Sequence, residues 1–239
     1  MPQRTYRPTP AWMRPIAERL SPAIRNLVVV QAVLFGFYVM AAGLRVPISR
    51  HLALGPLVAA GELWQPFTSL LIHIDWWSFV FDSIGLWYVG ATIEHALGRQ
   101  RFLLMFFLSG IAANLAIAFV MAGLHWSGIY AGCGDAVLAL FVALGVVFGP
   151  TQVRVLGPLV LQARVLSAIL VGMSLVGALL QGAWPSVAGT LVAVLIGYVL
   201  GGGRWRLLMA GRAFWRRRRR NMFEVLEGGR AKRGKKYVN

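Results

Sequence analysis

Residues 62–98 read ELWQPFTSLLIHIDWWSFVFDSIGLWYVGATIEHALG. From Trp77 to Leu97 the stretch is predominantly apolar and about twenty residues long, the length that crosses a hydrocarbon core of roughly 30 Å. One acid, Asp82, lies well inside it. An intramembrane carboxylate is costly, so it is expected to face a bundle interior or a water-filled cavity and to have a partner there. Trp64, Phe67, Trp76 and Trp77 stand just ahead of the run, where aromatic side chains suit the membrane interface.

Five further runs can be drawn outward from this one: Ile24–Leu44, Phe102–Gly123, Cys133–Gly149, Leu159–Leu180 and Trp184–Gly203. Ser21-Pro22 marks a helix start ahead of the first, with Ser as N-cap and Pro in the first turn. The composition agrees with a membrane protein. Of 239 residues 58% are hydrophobic and 13% charged, against about 25% charged in a soluble domain, and the mean hydropathy is +0.66. The fold class expected is an all-α polytopic bundle of six transmembrane helices with a long first loop.

The net charge of +16 invites a nucleic-acid reading. Its distribution argues against that reading. Apart from Arg45 and Arg50 in the first loop, every Lys and Arg falls on one side of the six spans, thirteen of them from Arg204 onward. The positive-inside rule makes that side cytoplasmic, with both termini on it. Residues 1–23 form an interfacial N-terminal segment, residues 24–203 the membrane domain and residues 204–239 a basic cytoplasmic tail. The tail anchors the topology and attracts anionic lipid. It has no folded module or aromatic platform for nucleic acid. Cys133 is the only cysteine, which excludes an internal disulfide. The four histidines, His51, His73, His95 and His125, show no metal-ligand spacing. No metal or other cofactor is expected.

The order of residues from Gly61 onward, with Trp64, the Phe67-Thr68 pair, His73, and Gly90, Glu94 and Gly98 in a G-x3-E-x3-G arrangement, resembles the rhomboid intramembrane proteases. The six-span topology is similar to the bacterial rhomboid core. The resemblance implies a nucleophilic serine in a Gly-x-Ser-Gly motif at the head of the fourth helix. It also implies a base histidine in the sixth helix, and His and Asn oxyanion donors in the second. Each part has a physical need behind it. An alcohol attacks only when a base takes its proton, and the developing oxyanion requires preorganised donors.

The matched positions of this chain hold none of those groups. In GCGDAVLAL, Gly132 stands on the first Gly, Gly134 on the serine and Asp135 on the second Gly. A slide of one residue puts Cys133 on the serine. In the sixth helix, WPSVAGTLVAVLIGYVLG puts Val187 on the histidine, Gly189 on the first Gly of the pattern and Thr190 on the second, and no histidine follows His125. In the second helix Ser78 falls on the oxyanion histidine and Asp82 on the asparagine, where an ionised carboxylate would repel an oxyanion. Gln65 follows Trp64 where many family members carry Arg. The expectation is a dismantled site with no catalytic residue, not an enzyme.

Asp82, Asp135, Ser78, His73 and Trp64 are the candidates to line a retained cavity or meet a partner. Asp135 is expected to serve as an N-cap or first-turn acid of its helix. Glu94 is expected to be structural, beside Arg99 and Arg101. Gly189, Ala193, Gly197 and Gly201 recur every four residues, a small-residue ladder for close helix packing. Ala136, Ala139 and Ala143 on the fourth helix are the expected counterparts.

The function expected is that of an inactive rhomboid-like protein that binds transmembrane segments of other membrane proteins, as chaperone, adaptor or quality-control factor. The alternative is a subunit of a larger membrane complex. An active protease built on Cys133, or on Asp82 with Asp135, is a third reading, and a proton path or transporter a fourth.

Overall fold

The computed structural model describes residues 21–44, 46–154 and 160–203. The basic tail, and all but the last three residues of the N-terminal segment, lie outside the described residues. The first helix, α1 (Pro22–Gly43), starts where the Ser-Pro pair puts it. Ser21 Oγ accepts the Ile24 amide at 3.3 Å and Pro22 fills the first turn. Ser21 also donates to Glu94 Oε2, so the buried Glu94 ties the start of α1 to the end of the second crossing.

The long first loop is built rather than slack. It contains the short helices α2 (Ser49–Leu52) and α3 (Gln65–Leu71). Gln65 is fully buried and knits the loop together. Its Oε1 accepts the Gly55 amide at 2.9 Å, and its Nε2 donates to the Arg50 carbonyl at 3.1 Å and to Glu62 Oε2 at 2.8 Å. Trp64 donates from Nε1 to the His51 carbonyl at 3.0 Å. A Gln65→Leu variant keeps the volume but orphans the Gly55 amide, and should lose about 2 kcal/mol. Earlier protease cleavage within residues 50–65 and a lower unfolding midpoint in detergent titrations would show it.

The second crossing is not one continuous helix. It runs as α4 (Trp76–Gly85), a wider π-type turn over Leu86–Gly90, and α5 (Ala91–Leu97). The π-type turn inserts a residue without breaking the helix. It falls where Gly85 comes so close to its neighbour that an added Cβ would lie 2.6 Å from Val137 Cγ1. The third crossing is α6 (Arg99–Leu124) and the fourth is α7 (Gly134–Phe148). A two-stranded antiparallel hairpin follows, β1 (Gln152–Arg154) with β2 (Val160–Gln162). The fifth crossing, α8 (Ala163–Leu180), therefore begins four residues later than the apolar run from Leu159 suggests. Gly157-Pro158 between the strands is a turn signal that hydropathy alone passes over. The sixth is α9 (Trp184–Tyr198), continued by a π-type turn over Val199–Gly203.

Four helices are long and apolar enough to cross a membrane unaided: Pro22–Gly43, Arg99–Leu124, Ala163–Leu180 and Trp184–Gly202. At 15 residues α7 rises only about 22 Å. It sits at the centre, with Ala136 to Leu140 and Val142 to Leu144 all buried. Its head is reached by the segment Tyr130–Cys133. Paired 2.8 Å backbone hydrogen bonds between Leu54 and Tyr130 fasten that segment to the first loop. The loop in turn packs on α6, where Asn114 donates to the Pro66 carbonyl at 2.9 Å and to Ser69 Oγ at 3.0 Å.

Between transmembrane helices there is no water to expel, so close packing of small residues supplies the contact. Ala193 meets Ala113 of α6 and Ala139 of α7. Gly197 lies against the Ala139 backbone, and a Cβ on Gly201 would lie 2.8 Å from Ala143 Cα. The small-residue ladder of α9 is thus used inside the chain.

Candidate functional site

The notch at the head of α7 is set by Gly132. Its φ of +113° is a conformation that side chains resist. A Cβ there would also meet Ser78 Oγ at 3.0 Å and Asp82 Oδ2 at 3.2 Å. Its amide donates to the Ser69 carbonyl at 2.9 Å. The chain can then turn into α7 with its first amides facing α4.

Asp82 receives one of them. The Cys133 N–H donates to Asp82 Oδ2 at 3.0 Å, and the same oxygen lies 3.1 Å from His73 Nε2. The helix that lacks a cap from its own side chains takes one from the second crossing. The field of the α7 dipole favours that negative charge. The intramembrane acid that seemed costly in sequence thus has two partners. His73 is fully buried and the Asp82 side chain is 13% exposed.

Of the two expected roles, N-cap or first-turn acid, Asp135 takes the second. It lies in the first turn of α7, as the dipole favours, but its carboxylate reaches α9, with Thr190 Oγ1 3.5 Å from Oδ1. A Cβ on Gly189 would come within 2.7 Å of Asp135 Oδ2, so only glycine leaves this acid its place. Thr190 is held in turn by Ser174 of α8 at 3.0 Å. One turn before Gly189 and Thr190 stand Ser186 and Val187, and neither is a histidine.

Cys133 is buried behind the notch, and its sulfur accepts from Gln31 Nε2 of α1 at 3.2 Å. Gln31 is fully buried and was not singled out in the sequence. A polar amide within the first apolar run was the available signal. Gly134 is exposed, and a Cβ on it would lie 3.5 Å from Asp82 Oδ1. Folding thus brings His73, Ser78, Asp82, Cys133, Gly134 and Asp135 to one place. Trp64 stays out on the first loop, exposed. His73, a candidate cavity residue in sequence, is fully buried beside Asp82. One ligating atom each from His73, Asp82 and Cys133 lie within 4.8 Å of one another.

Comparison with known proteins was made against this geometry. A family model described as the rhomboid domain matches residues 60–206. The chain is 31% identical over 125 residues to the putative rhomboid protease YdcA of Bacillus subtilis, covering 52% of this chain and 61% of that one. It is 36% identical over 91 residues to the rhomboid protease GluP of the same organism, covering 37% of this chain and 17% of that one. The match spans less than two thirds of either relative's length.

Proposed function

Because the chain belongs to the rhomboid family, we propose that this multi-pass membrane protein binds a transmembrane segment of another membrane protein without cleaving it. The observation that carries this reading is Gly134, exposed at the head of α7 with the Asp82 carboxylate facing it. Acyl transfer by serine needs a hydroxyl at that place, a base to accept its proton and donors for the oxyanion. Gly134 has no side chain, no histidine follows His125, and a carboxylate stands where a donor is needed. What is left is a polar notch between α4, α7 and α9 in an otherwise apolar surrounding, suited to a helix that carries a polar or kinked segment.

Two observations favour hydrolysis instead. The relatives are named proteases, and Cys133, His73 and Asp82 are the residue types of a thiol peptidase. The geometry weighs against it. The Cys133 sulfur is fully buried and bonded to Gln31, and His73 Nε2 is engaged by Asp82.

The test uses the full chain reconstituted in liposomes with a fluorogenic transmembrane substrate. No turnover above a protein-free control is expected. A photoreactive residue at Phe81, exposed beside Asp82 on α4, should crosslink a membrane-embedded protein in cells, and one at Leu104 on α6 should not. Turnover that disappears in Cys133→Ala or Asp135→Asn would sink the reading, as would equal crosslinking at both positions. A single partner in fixed ratio would point to a subunit of a stable complex rather than a chaperone.

A further inference from the structure

We propose that His73, Asp82 and Cys133 form a zinc site at the head of α7. The three residues come from three separate segments: the turn before α4, α4 itself, and the descent into α7. All three ligating atoms lie within 4.8 Å of one another, and His73 Nε2 and Asp82 Oδ2 are already 3.1 Å apart. Zinc binds Cys sulfur at about 2.3 Å, His nitrogen at about 2.0–2.1 Å and Asp oxygen at about 2.0–2.2 Å. Tetrahedral ligands at those bond lengths stand roughly 3.5 Å from one another. Adjustments of at most about 1.3 Å complete the triangle, the His73–Asp82 pair opening slightly and Cys133 moving in.

The charges fit a divalent ion. When zinc binds, the Cys133 thiol gives its proton to solvent and the sulfur–zinc bond replaces the S–H bond. One thiolate, one carboxylate and a neutral imidazole then sum with Zn²⁺ to zero, which suits a site enclosed within a membrane bundle. The donor set is selective as well. Calcium and magnesium take oxygen ligands, whereas a mixed nitrogen, oxygen and sulfur set suits zinc. Gln31 Nε2 donates to the Cys133 sulfur at 3.2 Å, an outer hydrogen bond of the kind that steadies a metal-bound thiolate.

The His73 ring is fully buried and already presents Nε2 to Asp82 Oδ2 at 3.1 Å, so the imidazole is held in the orientation a ligand needs. The fourth position is left to water or to a donor from the bound partner. This site does not depend on the partner-binding reading, since a chain that held zinc here and cleaved a substrate would overturn that reading alone.

The experiment is elemental analysis of the full chain purified in mild detergent at neutral pH without chelator. About one zinc per chain is expected. After stripping and reloading with cobalt(II), intense tetrahedral d–d bands and a near-ultraviolet sulfur-to-cobalt charge-transfer band should appear. The charge-transfer band should vanish in Cys133→Ala, and zinc occupancy should fall at least tenfold in Cys133→Ala and in His73→Phe, each checked for a monodisperse, helical fold. If either variant fails to fold, the cobalt spectrum of the wild-type chain decides alone, because Cys133 is its only cysteine. Occupancy that stays below about a tenth of an equivalent after reloading the wild-type chain would overturn the proposal. So would zinc retained in both variants, or stoichiometric copper or iron in place of zinc.

Discussion

An Asp82→Ala variant should lose about 3 kcal/mol of stability, measured as the shift in the unfolding transition of the purified chain in mixed detergent micelles. Two groups lose their acceptor at once: the Cys133 amide at 3.0 Å and the His73 ring at 3.1 Å. Hydrogen bonds to an ionised partner contribute about 1.5–3 kcal/mol each, and a buried donor left unpaired costs its full desolvation. His73 has no second partner to fall back on, because its Nδ1 is unpaired among the described residues. Asp82→Asn keeps an oxygen for the amide and should lose roughly half as much. A loss below about 1 kcal/mol for Ala would show that the carboxylate is dispensable to the head of α7.

A Gly197→Val variant should fail to assemble a stable bundle, or lose more than about 3 kcal/mol if it does. The atoms nearest an added Cβ at Gly197 are the backbone carbonyl, Cα and C of Ala139, which no side-chain rotation can move. Relief would require α9 to separate from α7, parting Gly201 from Ala143 and Ala193 from Ala113 and Ala139 at the same time. Overpacking of a yielding core costs about 1–3 kcal/mol. Two packed backbones yield less. Gly177→Val on α8 is the matched control, since nothing lies within 4 Å of its Cβ. It should change stability by no more than about 0.5 kcal/mol. Equal losses at both positions would show that backbone entropy, not helix contact, sets the cost.

Much of the fold was legible because the bilayer imposes length and polarity one segment at a time. Ser21-Pro22 fixed the start of α1, and the apolar runs located six crossings, since each depends only on residues near in sequence. The misses concern geometry that hydropathy does not report. The strand Val160–Gln162 was folded into an apolar run because hydropathy does not distinguish a short strand from a helix start. The π-type turn at Leu86–Gly90 was invisible because hydropathy carries no information about helix pitch. The candidate site was legible by residue type and not by arrangement. Asp82 was marked by its cost, but its partners were not identifiable from spacing. Asp135, expected as an N-cap or first-turn acid, lies in the first turn, while the Cys133 amide goes to Asp82.

The sequence by itself determined a membrane-embedded helical chain of the rhomboid pattern. It also determined that the residues at the matched serine and histidine positions are not serine and histidine. Both follow from identity and order along the chain, which folding does not change. Only the tertiary structure decided that His73, Asp82 and Cys133 meet, that Gln31 stands behind them, and that Thr190 of α9 reaches Asp135 at the head of α7. The physical reason is that intervals of nine and fifty-one residues carry no ligand periodicity. They become a single cluster only when α4 and the Gly132 turn are packed against α7.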